Sequence, residues 1–317
     1  MTYLEKYSVI AVGAIYLASL SPVFAQGNNT LNQCKGRNAT LSIRACSKLL
    51  SINAKDPNVL RYRALAWTKM GQVRLALADY NAAIRYKSDY ILAYFERANL
   101  FFGRLKKIDN AINDYTKVIT INKEYHMAYN NRGLAWLQKK EIDKAISDFG
   151  SAIALQKYYA PAYSNRGTAF KKKGNIDKAI QDYSRAILIN PRYAIAYFNR
   201  GNAWADKKNE LEKAIQDFDK AIDLNINFTL AIHNRGSAWK KRGDLDRALA
   251  DFNSAIRISP KLAIAYKNRG SVYEARNDLA SALTDYRWFY RLSNKNKDAA
   301  KAIARIEAKI DARKPKP

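Results

Sequence analysis

From about residue 57 onward, apolar positions recur at the spacing of an amphipathic helix in short blocks, and each block is separated from the next by a polar turn. One pair shows the pattern: a helical block ends near Lys172, Lys173-Gly174-Asn175 makes the turn, and a second block runs from Ile176 to Ile189. Shifting the chain against itself by 34 residues aligns Tyr129-Asn130-Asn131-Arg132-Gly133, Tyr163-Ser164-Asn165-Arg166-Gly167 and Tyr197-Phe198-Asn199-Arg200-Gly201. Ile232-His233-Asn234-Arg235-Gly236 follows 35 later and Tyr266-Lys267-Asn268-Arg269-Gly270 another 34 on, with weaker copies at Leu60 to Ala64 and Tyr94 to Ala98. The spacing therefore predicts seven units over 57–296, namely 57–90, 91–125, 126–159, 160–193, 194–228, 229–262 and 263–296. Each is a helix hairpin, so the fold expected is all-α, a stack of hairpins.

The unit resembles the tetratricopeptide repeat, which carries large residues at positions 4, 11 and 24, small ones at 8, 20 and 27, and Pro at 32. Position 11 here is Trp67, Phe101, Trp136, Phe170, Trp204, Trp239 and Tyr273; position 24 is Tyr80, Tyr115, Phe149, Tyr183, Phe218, Phe252 and Tyr286. Position 20 is Ala in every unit: Ala76, Ala111, Ala145, Ala179, Ala214, Ala248 and Ala282. Pro at position 32 survives only as Pro191 and Pro260, and single-residue insertions lengthen the second and fifth units. The resemblance implies a right-handed superhelical solenoid of about seven hairpins with N- and C-terminal capping helices. Ser42 to Cys46 aligns with a second helix that lacks a proper first helix before it. After the last unit, a helix from about Asp298 to Arg313 presents Ile303, Ile306 and Ile310 on one face, a stripe suited to cover the final hairpin.

Polar residues recur as strictly as apolar ones. Position 7 is Arg63, Arg97, Arg132, Arg166, Arg200, Arg235 and Arg269, and position 23 is Asp79, Asp114, Asp148, Asp182, Asp217, Asp251 and Asp285. Position 7 is commonly Leu in the family and packs between helices, so a cation there needs a partner; an Arg–Asp ladder of bidentate forks is expected. Position 6 is Asn131, Asn165, Asn199, Asn234 and Asn268 in the last five units. A row of amides can clasp an extended peptide backbone, as in some superhelices of the family; the alternative is that they bond only to their own scaffold. The family's concave-face positions map to Leu92, Phe95, Phe102, Met127, Leu134 and Leu137 in the second and third units. Later units contribute Lys171, Lys172, His233, Lys240, Lys241 and Lys267, with Ile195, Phe198, Leu230 and Ile264 among them. The predicted groove is apolar toward its N-terminal half and basic toward its C-terminal half.

The chain ends differ from the repeats. Val9 to Leu20 is almost wholly apolar, Glu5 and Lys6 precede it, and Val23-Phe24-Ala25 precedes a cut before Gln26, so residues 1–25 read as a secretory signal peptide. A spanning anchor would need roughly 20 apolar residues, and no later segment is apolar enough to span once the signal is removed. Export puts Cys34 and Cys46, the only two cysteines, in an oxidising compartment, where they read as a disulfide within an N-terminal cap over 26–56; two buried free thiols is the alternative. Residues 297–317 form the C-terminal capping helix and a basic tail.

Chemistry narrows the function. Two His and two Cys, each placed singly, are too few for a metal cage or a Cys–His nucleophile pair, so no cofactor, metal or catalytic activity is expected. Net charge is +27, concentrated where first helices end, for example Lys171-Lys172-Lys173 and Lys240-Lys241-Arg242, and helix dipoles account for part of it. Nucleic acid is disfavoured because positions 4, 11 and 24 already use nineteen of the aromatics that base stacking would need. The expectation is an exported, periplasmic or secreted, non-enzymatic scaffold binding a peptide or protein segment with acidic and apolar residues. The second reading is a binder of anionic polymers or an anionic envelope or membrane surface through the basic stripe.

Overall fold

The computed structural model describes residues 29–207 and 210–313, so the proposed signal peptide lies outside the described residues. All regular structure among the described residues is helical. The chain divides after Leu155 into two compact bodies. The N-terminal body begins with a helical stretch over residues 29–34. It continues with α1 (Ala39–Ile52), α2 (Pro57–Lys69), α3 (Val73–Tyr86), α4 (Ile91–Leu100, prolonged by a π-helical turn Phe101–Leu105), α5 (Ile108–Ile121), α6 (His126–Gln138) and α7 (Ile142–Leu155). The C-terminal body holds α8 (Ala160–Lys172), α9 (Ile176–Ile189), α10 (Ala194–Asp206), α11 (Leu211–Leu224), α12 (Thr229–Arg242), α13 (Leu245–Ile258), α14 (Ala263–Ala275), α15 (Leu279–Leu292) and α16 (Lys297–Asp311).

Turn chemistry sets these boundaries. The residue between the two helices of a hairpin takes the left-handed conformation, and Gly71, Gly174 and Gly243 supply it without a Cβ penalty, at φ of 74°, 86° and 95°. Asn175, Asp244 and Asp278 then cap the second helix, each side chain accepting from the backbone N–H three residues on. At the far end, Asn122, Asn190 and Asn225 leave the helix in extended backbone and accept from the N–H two residues on, which turns the chain into the next hairpin. The extra residue of the second unit is taken up as the π-helical turn after Leu100, closed by Lys106 in the left-handed region.

The core repeats with the same period. Every Ala at position 20 is fully buried, and the ring at position 24 lies beside it, wedged between the two helices of its own hairpin. The Gly of each Asn-Arg-Gly triplet makes room for that ring: a Cβ on Gly133, Gly167 or Gly201 would stand 2.7–2.8 Å from the ring of Phe149, Tyr183 or Phe218. Gly167→Ala should therefore lower stability by about 1 kcal/mol, because overpacking against Tyr183 outweighs the helix-propensity gain of Ala over Gly. Chemical denaturation checks this; a stabilised variant would show that the Tyr183 ring yields freely. The first two units carry Ala64 and Ala98 at this place, so the hairpin can widen to accept one methyl and the loss stays small.

Both ends are closed by apolar contact. Cys34 and Cys46 form a disulfide that ties the helical stretch over 29–34 to α1, and both are buried in a cluster with Leu50, Val59 and Leu60. Ser42, one turn before Cys46, donates its hydroxyl to the Cys34 carbonyl. At the other end, α16 buries Ala302 and Ile306 against Leu279, Ala282 and Tyr286 of α15, with Ile303 and Ile310 beside them. No helix among the described residues is long and apolar enough to cross a membrane.

Candidate functional site

The seven arginines and seven aspartates meet within their own hairpins. In each pair Nε and Nη2 of the Arg donate to the two carboxylate oxygens of the Asp sixteen or seventeen residues on, at 2.6–2.9 Å. Each fork joins the first helix to the second. In six units the remaining nitrogen, Nη1, reaches the preceding second helix: Ser47, Asn81, Thr116, Ser184, Asp219 and Asn253 accept from Arg63, Arg97, Arg132, Arg200, Arg235 and Arg269. The guanidinium thus pins three helices. Tyr94, Tyr129, Tyr163, Tyr197 and Tyr266, one turn earlier on the first helices, stand 5.5–5.8 Å from the same groups in cation–π contact. The Asp side chains are 2–9% exposed. Burial pushes the Asp217 and Asp251 carboxyls upward, ahead of the opposing pull of Arg200 and Arg235. Desolvation therefore consumes much of the attraction, and the pairs act mainly to specify which helices pack.

The Asn row is tied into the scaffold where its bonds are resolved. The Asn131 amide donates to the Asn99 side-chain oxygen at 3.0 Å, and that of Asn234 to the Asn202 oxygen at 2.6 Å; in both, position 6 bonds position 9 of the preceding unit. Asn268 makes the same step to Ser237 at 3.2 Å and also donates to Nε2 of His233 at 2.9 Å. Asn165 and Asn199 are half-buried at the equivalent places. His233, expected at the groove surface, is instead buried against Phe252, since its ring fills the space between Asn234 and Asn268.

The His233 bonds select one tautomer. Because Nε2 accepts from Asn268, Nδ1 carries the proton and donates to Asn234, and burial holds the imidazolium pKa below its ordinary 6.5. The unfolded chain thus binds a proton that the folded chain refuses. Stability is complete above about pH 6.5 and falls as the pH drops through the lowered folded value. His233→Asn should flatten the stability profile between pH 7 and pH 5; an unchanged slope would exclude His233 as its source.

The nominated cations divide. Lys171 pairs with Asp206 at 2.9 Å, and Lys241 lies near the Ala205 carbonyl. These groups, with Asn202, Asn234 and Ser237, line a cavity of about 250 Å³ built from three successive first helices. Lys172 is exposed and lies outside that lining, whereas Lys240 turns toward α14 and donates to Ser271. In the N-terminal body, Phe95 and Phe102 are half-buried against the cluster of Ala98, Ala111 and Tyr115, and Leu134 is half-buried. A row of exposed apolar residues stands one helical turn before the Asn row: Ile195, Leu230 and Ile264 are 39–50% exposed, and Leu92 and Met127 occupy the same position in the N-terminal body.

A second row of ion pairs escaped the sequence reading. Cations at first-helix ends meet carboxylates in the first turn of the preceding second helix: Lys139 with Asp109, Lys207 with Asp177, Arg242 with Glu212 and Arg276 with Asp246. A carboxylate directly after the first apolar residue of the second helix, as in Ile108-Asp109, Ile176-Asp177, Leu211-Glu212 and Leu245-Asp246, carries the signal, and part of the basic stripe is neutralised there. Among the described residues no group of His, Cys, Asp or Glu could hold a metal.

Family models of the tetratricopeptide repeat match residues 91–125, 160–193, 194–226 and 236–276, so the chain carries tetratricopeptide repeats in both bodies. Among solved structures, a chain of the APC/C hetero-tetramer Cut9-Hcn1 is similar with a TM-score of 0.65 and 17% identity, covering 89% of this chain and 55% of that one. A tetratricopeptide repeat protein from Parabacteroides merdae gives a TM-score of 0.62 at 16% identity, covering 79% of this chain and 98% of its own. Yeast Tom70 gives 0.58 at 18% identity, over 87% of this chain and 59% of that one. Each body is thus an all-helical stack of tetratricopeptide-repeat hairpins, and proteins built from this repeat are typically protein-interaction scaffolds. The chain spans little more than half the length of the Cut9-Hcn1 chain and of Tom70. No curated protein matches its sequence.

Proposed function

We propose that the protein is an exported, non-enzymatic adaptor that holds an extended peptide or protein segment against the first helices of its repeats. The observation that carries this reading is the layered surface of α10, α12 and α14. Exposed Ile195, Leu230 and Ile264 lie four residues before Asn199, Asn234 and Asn268, and so share a helix face with them. Lys171, Lys172 and Lys241 stand beyond the amide row. Apolar anchors, amides and cations side by side suit a segment with apolar and acidic residues. Because the Asn131, Asn234 and Asn268 amide hydrogens already bond the scaffold, anchoring falls to the apolar row, and the amides offer their remaining acceptor capacity. The apolar run over 9–20 and the Cys34–Cys46 disulfide support export to an oxidising compartment such as the periplasm.

Display selection against the mature chain should return peptides with apolar and acidic residues whose affinity persists at about 0.5 M salt, where surface attraction is screened. Substituting Ile195, Leu230 and Ile264 together with Ser should abolish that binding without unfolding the protein, since all three are already solvent-exposed. Undiminished affinity in the triple variant would overturn the site. Binding that collapses with salt would instead favour the anionic-surface reading.

A further inference from the structure

The last repeat and the capping helix enclose cations that the peptide surface does not use. Lys240 of α12, Lys267 of α14, and Lys301 and Arg305 of α16 converge on one cavity of about 320 Å³, with Asp298 the only carboxylate among its lining residues. The side chains come from three helices separated in sequence by tens of residues. Lys240 makes no direct ion pair: its ammonium donates to the neutral hydroxyl of Ser271 at 2.6 Å, and burial first, then Lys267, hold its pKa below the ordinary lysine value against the opposing pull of Glu274. Lys267 stands 5.6 Å from the Phe289 ring, which gives it a weak partner only.

Glu274 is the nearest further carboxylate, and it is already engaged. Arg305 grips both its oxygens, at 2.8 and 3.1 Å, and Lys309 adds a third contact at 2.7 Å. Burial works against ionisation, but these bonds with that of Tyr286 bring the Glu274 carboxyl down to about 2, so it stays charged and occupied. Two consequences follow for any ligand. The Arg305 fork, the group best shaped to hold a carboxylate in bidentate fashion, is taken; what remains are lysine ammonium groups, which bind phosphate as converging point charges. The three lysines also exceed Asp298 by two positive charges, which a monoanion would only half offset.

We propose that this cavity is a binding site for a phosphate dianion, free or as a monoester, held by Lys240, Lys267 and Lys301. Because Lys301 comes from α16 and the others from repeat helices, the bound anion bridges the cap to the last repeats. Occupancy therefore stabilises the last repeats and the cap, by an amount that grows with the logarithm of ligand concentration above Kd. The cavity borders the peptide surface at Asn268, but it uses none of Ile195, Leu230 and Ile264, so either can fail without the other.

The test titrates the mature protein with inorganic phosphate and with phenyl phosphate at about pH 8, where a monoester is dianionic, at constant ionic strength set with chloride. Saturable one-to-one binding by calorimetry is expected, with slowed amide exchange over 263–275 and 297–311. Lys240→Gln and the exposed Lys301→Gln should each weaken binding by about tenfold, while Lys220→Gln on α11 leaves it unchanged. Equal affinity for the two probes assigns the site to the free ion, and tighter phenyl phosphate assigns it to a monoester; both support the proposal. No effect beyond that of chloride, acetate binding as well as phosphate, or full affinity in Lys301→Gln would overturn it.

Discussion

Replacing Asp217 with Ala should destabilise the fifth repeat by about 3 kcal/mol, the scale for removing one partner of a largely buried pair. The Arg200 guanidinium would keep its bond to Ser184 at 2.9 Å but lose both carboxylate acceptors, at 2.7 and 2.8 Å, in a largely buried helix interface. Removing both charges should do far less harm. Burial already works against the Asp217 carboxylate, so Arg200→Leu with Asp217→Leu should lie within about 1 kcal/mol of the parent, and Leu is the residue common at position 7 in the family. Amide exchange in α10 and α11 reads the difference locally, where a repeat array is not safely two-state. A single variant as stable as the parent would mean that the fork contributes nothing to packing.

Reducing the Cys34–Cys46 disulfide should cost about 3 kcal/mol at the N-terminal end, from the unfolded-state entropy that a twelve-residue separation removes. The effect should be confined. Cys34, Cys46, Leu50, Val59 and Leu60 share one cluster, so the stretch over 29–34 and α1 should open first, leaving the α2 face that they cover exposed to solvent. Cys34→Ser with Cys46→Ser should reproduce the reduced protein. Exchange rates over 29–52 should rise by about two orders of magnitude, while those over 160–292 stay as they were, because a repeat stack couples mainly neighbours. Unchanged protection over 29–52 would show that packing alone holds the cap.

Much of this molecule is legible along the chain because its determinants are local or strictly periodic. A helix needs only its 3.6-residue apolar rhythm, a left-handed turn residue such as Gly174 and a cap such as Asn175, all neighbours in sequence. The Arg200–Asp217 fork is readable for a related reason: one residue type at position 7 and one at position 23 recur in every unit, and a cation between helices requires an acceptor. A single inserted residue in the second unit is visible along the chain, but its form, a π-helical turn after Leu100, is not, because where an extra residue is absorbed depends on packing against the neighbouring helix.

What the sequence alone determined is therefore the repeat, its hairpins and the residue types of the buried pairs. Only the tertiary structure decided where the recurring amides and lysines point. Asn234 bonds Asn202 across 32 residues, His233 sinks between two Asn side chains, and Lys240 joins Lys301 of the capping helix at one cavity. The physical reason is that a side chain's partner across neighbouring helices depends on crossing geometry and ångström-scale separations. Periodicity fixes a face, but it does not say whether the groups on that face turn to solvent or to each other.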